Sequence, residues 1–372
     1  MKILMLIDRM ESGGAETHVE ALAQALCDGG DRVEVFSSGG RIADRMEEGG
    51  IHQRIIPFIG KSPWRFLLAR RTLKKLLRAE KYDILHAHTR TMALLVQGLS
   101  GQGRRCGCIA TVHAAFSKFP WLSRLAFRAE KTIAVSEDLR KRAIDVFNIP
   151  AESIEVIPNG VDCGTFYPPR ILASHQTVLF ASRLDEDCSL GAELLCDVMP
   201  RLIEDFPHIE ISIAGGGSAM ERIAELARRA NEKSRARVGR DVIKMLGGVD
   251  DMASVYREHQ IFVGASRAAM EAAACGCAVV LCGNEGRGGI LTLERLLCDV
   301  DNLCSRGERL PDAAWLEGQI RFLLTNERIA DVHADLCRAW VQKHRSVRVS
   351  AYLTRTVYGM LCDEKEGGCE KV

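Results

Sequence analysis

Long hydrophobic runs are missing from this chain. None of its segments reaches the roughly 18 consecutive apolar residues that a membrane-spanning helix needs, so no such helix is expected in the 372 residues. A surplus of either charge is missing too. Fifty basic and 49 acidic residues leave a net charge of +1, which implies no nucleic-acid partner for the chain as a whole. Low-complexity sequence is scarce. Fourteen cysteines are present, but the C-x-C pairs Cys106/Cys108 and Cys275/Cys277 have no second pair at metal-site spacing. Others, such as Cys27, Cys196, Cys282 and Cys298, sit singly in apolar surroundings. That usage reads as reduced, packed thiols of a cytoplasmic protein rather than disulfides or zinc ligands. Met1-Lys2 leads at once into ILMLI, too short and too early for a signal peptide.

What is there is an apolar fraction of 47 %, enough for full cores, in a length that suggests two domains. KILMLID (2–8), the glycine-bearing loop RMESGGAET, the helical pattern of 18–30 and RVEVFSS (32–38) make a strand–loop–helix–strand unit. Such a unit calls for a parallel, right-handed sheet, with ligands at the carboxyl ends of its strands. Gly13 and Gly14 stand at that end of the first strand. YDILHAH (82–88) and GCIATVH (107–113) are further strands that end in histidines. The same unit recurs after residue 177, with Arg183 following TVLFAS, the triple glycine 215–217 following HIEISIA, and Val249 following VIKMLGG. IFV (261–263), a helix over AAMEAAA (268–274), the buried strand AVVLC (278–282) and a glycine-rich loop, GNEGRGG, then lead towards ILTLERLL. Glu271 is the only charge within the alanine-rich helix, and burying a carboxylate is costly unless donors meet it. Residues 61–81 and 116–131 mix Trp, Phe and Leu with Lys and Arg. These are crossover helices, a surface drawn to anionic lipid, or both.

MEAAACGCAVV, together with IEVIPNGVD followed by an F-x-P element, TIAVS and T-V-H, resembles the retaining GT-B glycosyltransferases of family 4. The likeness covers nearly the whole chain. It implies an α/β GT-B architecture, in which two Rossmann-like parallel-sheet domains face a central cleft. The acceptor-side domain would span 1–168, completed by a C-terminal helix at about 349–362 with a frayed tail, and the donor domain would span 172–346. It implies donor-binding positions at Gly13, Gly14, Arg183, Gly215, Gly216, Val249, Glu271 and Arg287, with Glu271 on the nucleotide ribose. It gives catalytic roles to His113 and Arg183, and Glu285, on the loop after AVVLC at the carboxyl end of a strand, joins them as a candidate. Glu285 would stand in for a second family glutamate eight positions before Glu271, where this chain has Val263. The family lysine five residues after the arginine is here Cys188, and Arg287 is the substitute cation. No metal or other cofactor is implied.

The activity expected from the resemblance is transfer of a sugar from a UDP- or GDP-sugar to a hydroxyl of a glycan or lipid-linked acceptor, with retention of configuration. It would take place in the cytoplasm or at the inner face of an anionic membrane. Two alternatives stand beside it: a non-catalytic nucleotide-sugar or glycan-binding partner of a transferase, and a nucleotide-sugar epimerase on the same fold.

Overall fold

The computed structural model describes residues 1–11, 13–56, 62–99, 106–114, 120–168, 176–307 and 309–367. The chain forms two compact units, Met1–Gly160 with Val347–Val372, and Val161–Ser346. The first holds β1 (Lys2–Leu6), α1 (Gly14–Asp28), β2 (Arg32–Ser37), α2 (Arg41–Glu48), β3 (His52–Ile55), α3 (Pro63–Ala79) and β4 (Ile84–Ala87). It continues through α4 (Arg90–Val96), β5 (Gly107–Val112), α5 (Pro120–Ala126), β6 (Lys131–Ala134), α6 (Glu137–Asp145) and β7 (Ile154–Val156). Its sheet runs β3-β2-β1-β4-β5-β6-β7, and every pairing in it is parallel. Alternation along β1 explains why both faces are covered. Leu4 and Leu6 enter the core beneath α3 and α4, while Ile3 and Met5 enter the core beneath α1 and α2. A parallel sheet buried on both faces is the stable outcome of such continuous apolar strands.

The second unit contains β8 (Thr177–Ala181), α7 (Leu190–Asp205), β9 (Glu210–Ala214), α8 (Met220–Val238), β10 (Ile243–Gly247), α9 (Met252–Arg257), β11 (Ile261–Gly264) and α10 (Ser266–Ala274). Then follow β12 (Ala278–Gly283), β13 (Gly286–Ile290), α11 (Leu293–Leu297), α12 (Ala313–Thr325) and α13 (Glu327–His344). The sheet order is β10-β9-β8-β11-β12-β13. In each unit the order reverses beside the first strand, between β1 and β4 and between β8 and β11. Open α/β sheets leave a ligand crevice at that reversal, outside the carboxyl ends of the strands.

Four expectations change. The boundary falls at Gly160 rather than after Pro168, because Val161 bridges Ser346 and Phe166 packs into the second core. The glycine-rich stretch after β12 is not a loop running into a helix. It folds back as β13, antiparallel to β12, with a register shift between Leu281 and Cys282. Gly289 takes φ +78, and a Cβ on Gly288 would lie 2.7 Å from that of Leu281, so only glycine lets the two strands close. The alanine-rich helix begins at Ser266, before Ala268, which makes Glu271 the sixth residue of α10 rather than a residue at the helix start. The last helix, α14 (Val347–Gly367), rejoins the first unit and runs into the segment expected to fray; residues 368–372 lie outside the described residues. It is anchored by Tyr358, whose hydroxyl lies 2.6 Å from His86 Nδ1, and by Ser350, which donates to the Pro158 carbonyl.

Candidate functional site

In the first unit the crevice is lined by imidazoles. Gly13 and Gly14 open α1, and one turn later the helix places His18 over the sheet. His88 follows β4 and His113 follows β5, both at carboxyl strand ends. His88 Nδ1 and His113 Nε2 are 3.3 Å apart. The ring of His18 meets that of His113 edge-on at 5.1 Å. Burial holds the His113 imidazole at about 4, and it holds His88 well below the ordinary value, helped by the neighbouring rings. Both rings are therefore neutral at neutral pH. They can offer or accept a hydrogen bond without repelling a cation or binding a phosphate as a charge. His86, one strand position deeper, spends both nitrogens on Tyr358 and Thr111 and is structural.

In the second unit Arg183, Gly215, Gly216 and Glu285 lie on three neighbouring loops. Arg183 follows β8 and is exposed. It donates to Asp185 at 2.9 Å and lies 3.9 Å from Asp187 and 3.6 Å from Cys188 Sγ. Asp185 is held below the usual carboxylate range by the backbone and hydroxyl of Ser218, then by Arg183. Gly215 sits where a Cβ would stand 1.9 Å from the Ser182 carbonyl oxygen, at φ +138, so this loop can approach β8 only as glycine. Gly216 has nothing within 4 Å of its Cβ position, and its carbonyl accepts from the Leu184 amide. Asn284, in the β12–β13 turn, accepts from the Leu190 amide and donates to the Glu186 carbonyl. The Arg183 loop, the 215–218 loop and the hairpin turn are thus tied together.

Glu271 lies in α10, 8 % exposed. Arg267, one turn earlier, donates to it at 2.7 Å, and the Tyr256 hydroxyl stands 3.4 Å away. Burial raises the carboxyl above its usual range, against the pull of Arg267. A carboxylate kept inside a site by one cation is poised to accept further hydroxyl donors. Val249 is half-buried against the core that holds α10. Val263 is fully buried in β11, registered between Phe180 and Val280. Since α10 starts two residues after that strand ends, no loop remains on which a second glutamate could stand. Glu285 is exposed at the hairpin turn and pairs with Arg306 at 2.6 Å. Arg287 does not join Arg183. It lies 3.4 Å from Asp312 and 5.8 Å from the Trp315 ring, both beside or in α12, because β13 carries its side chain to that helix.

Sequence reasoning missed Arg267, His18, Asn284 and Asp185. An earlier helix start would have revealed Arg267 through its i, i+4 spacing from Glu271. The spatial meeting of His18 with His113 has no local signal.

Comparison with known proteins identifies the family and the fold. Residues 12–165 match the model of Glycosyltransferase Family 4, and residues 175–303 match that of Glycosyl transferases group 1. A phosphatidyl-myo-inositol mannosyltransferase of Mycolicibacterium smegmatis is 30 % identical over 270 residues, covering 67 % of this chain and 65 % of the relative. The chain thus spans just under two thirds of that relative's length. One component of the phosphatidylinositol N-acetylglucosaminyltransferase of Arabidopsis thaliana is 25 % identical over 314 residues, covering 75 % of this chain and 67 % of the relative. Among solved structures, HepE of Anabaena in complex with UDP superposes with a TM-score of 0.73 at 18 % identity, over 96 % of this chain and all of the other. At that identity the likeness is one of fold.

Proposed function

The chain belongs to glycosyltransferase family 4, with a group 1 second unit, and from that premise we propose that it moves a hexosyl unit from a UDP- or GDP-sugar to a hydroxyl acceptor, with retention of configuration. The observation that carries the reading is the buried Glu271–Arg267 pair at the switch point of the second sheet. Its carboxylate accepts hydrogen bonds from the two ribose hydroxyls. Arg183 and the amide of Gly216 face the diphosphate, whose charge grows as it leaves; the nearby amides of Gly215 and Ser218 are spent on the Gly247 carbonyl and on Asp185. This assigns leaving-group stabilisation to a guanidinium and backbone dipoles, with no metal in that role. In the first unit, Gly13 and Gly14 at the amino end of α1 are the proposed donor-binding glycines. His113, neutral, hydrogen-bonds the transferred sugar or the acceptor, and Glu285 meets the sugar hydroxyls from the hairpin turn. With retention, a donor phosphate oxygen takes the acceptor's proton as the glycosidic bond forms on the face the diphosphate leaves.

The acceptor in this reading is carried by lipid. No helix among the described residues is long and apolar enough to cross a membrane. Trp64 is 77 % exposed and Trp121 65 % exposed, on α3 and α5, which flank α4. Leu67, Leu68 and Leu125 are exposed beside them, with Arg65, Arg71, Lys75 and Arg78 on α3 and Arg124 on α5. Amphipathic surfaces of this composition bind anionic interfaces reversibly. Two relatives named for phosphatidylinositol substrates support the same choice. Lys61 and residues 116–119 of the two basic stretches lie outside the described residues.

Calorimetry with UDP and GDP tests the nucleotide assignment. Glu271→Gln keeps shape but loses the charge, and is expected to weaken nucleotide binding by about 1.5–3 kcal/mol. Unchanged affinity would remove Glu271 from the ribose.

A further inference from the structure

His18, His88 and His113 come from three separate elements, yet a ring nitrogen of each lies within 4.8 Å of the other two. His18 and His88 are almost fully buried. We propose that this triad binds one first-row transition-metal ion, Zn²⁺ being the representative case, through three imidazole nitrogens. Two nitrogens bound at 2.0–2.1 Å to a tetrahedral ion stand about 3.3–3.4 Å apart. His88 Nδ1 and His113 Nε2 are 3.3 Å apart, a separation that is long for a hydrogen bond but fits a shared ion. The remaining ring nitrogens of these two residues, His88 Nε2 and His113 Nδ1, are sealed from solvent with no hydrogen-bond partner among the described residues. Buried polar atoms are normally paired, and the exceptions call for a role. No partner among the described residues fixes the tautomer of either ring, so both facing nitrogens can present a lone pair to an ion.

The donor set selects the ion. Three imidazoles and no carboxylate suit Zn²⁺, Co²⁺, Ni²⁺ or Cu²⁺ and disfavour Mg²⁺ and Ca²⁺, which take oxygen. A fourth position stays available to water, as at open zinc sites. An ion seated there also takes up His113, so it inhibits sugar transfer. That consequence rests on the transfer reading above; the binding itself does not.

Full-length protein stripped with a chelator is titrated with Zn²⁺ by calorimetry, and with Co²⁺ by visible absorption. One equivalent is expected, with the intense spectrum of tetrahedral Co²⁺ and no response to Mg²⁺. His113→Ala and His88→Gln should each weaken binding at least about tenfold, whereas His52→Ala, an exposed histidine paired with Glu47, should leave it unchanged. Unfolding curves confirm that each variant is folded, and His113→Ala, at the less buried edge, serves if His88→Gln is not. Absence of stoichiometric binding, or binding equally strong in the folded triad variants, overturns the proposal. Tight binding without loss of transfer would instead remove His113 from the transfer reaction and leave the metal site standing.

Discussion

Arg183 is held by two carboxylates, Asp185 and Asp187, on a loop the solvent reaches. Pairing of this kind positions a guanidinium more than it stabilises the fold, since exposed pairs contribute about 0–1 kcal/mol. Cys188 stands where the family has a lysine, so in the proposed transfer Arg183 is the cation assigned to the departing diphosphate. Arg183→Ala should therefore lower kcat by roughly a hundredfold while changing KM little, because the charge it meets grows towards the transition state. Steady-state kinetics decides this. A rise in KM at constant kcat would make Arg183 a ground-state contact only. Glu271 is legible in the sequence as a buried charge among alanines. Its partner Arg267 is not, because the alanine run puts the apparent helix start two residues late and the i, i+4 relation disappears with it. Val263 is legible as a departure from the resemblance, and the fold supplies the reason: the position is strand interior, and the loop that would carry a glutamate is absent.

At the scale of elements, strand ends and helix starts carry most of what the sequence discloses. The βα repeats, the histidines at the ends of β4 and β5, and the glycines after β1 and β9 are all visible there, since apolar runs and glycines report locally. The hairpin β12–β13 is not. Its glycines announce permissive backbone, but only the packing of Gly288 against Leu281 shows that a second strand lies there. The anchoring of α14 is equally hidden. It is fastened through Tyr358 to His86, which is fully buried and held at about 3 by desolvation first and then by His113. The folded value is depressed below the unfolded 6.5, so the unfolded chain binds more protons at mildly acid pH. This stability is present above pH 6.5 and is lost as pH falls from there towards 3. Between pH 6.5 and 5 the loss from His86 alone is on the order of 1–2 kcal/mol, and His88 and His113 act in the same direction. Urea midpoints at the two pH values should fall accordingly for the natural protein. His86→Gln, which cannot take up the proton, should flatten the dependence; an unchanged slope would show that the ring does not charge on unfolding.

For the whole molecule, a net charge of +1 conceals a local basic and aromatic surface on α3 and α5. Each Lys or Arg near an anionic bilayer contributes about 1 kcal/mol, within a Debye length of about 8 Å at physiological salt. The protein should sediment with anionic vesicles and not with neutral ones, less so in high salt. Lys74→Glu combined with Lys75→Glu should release it. Equal recovery in the supernatant with both vesicle types would retire the membrane reading and favour a soluble acceptor. The central claim, sugar transfer, is tested most directly by following nucleoside diphosphate release from UDP- and GDP-sugars by purified protein, with and without a lipid-linked or glycan hydroxyl acceptor. Release that depends on acceptor is expected, with a product bearing the sugar and both reduced about a hundredfold in Arg183→Ala. Donor binding with no release under any acceptor, or conversion of the donor to an isomer without acceptor, would contradict it.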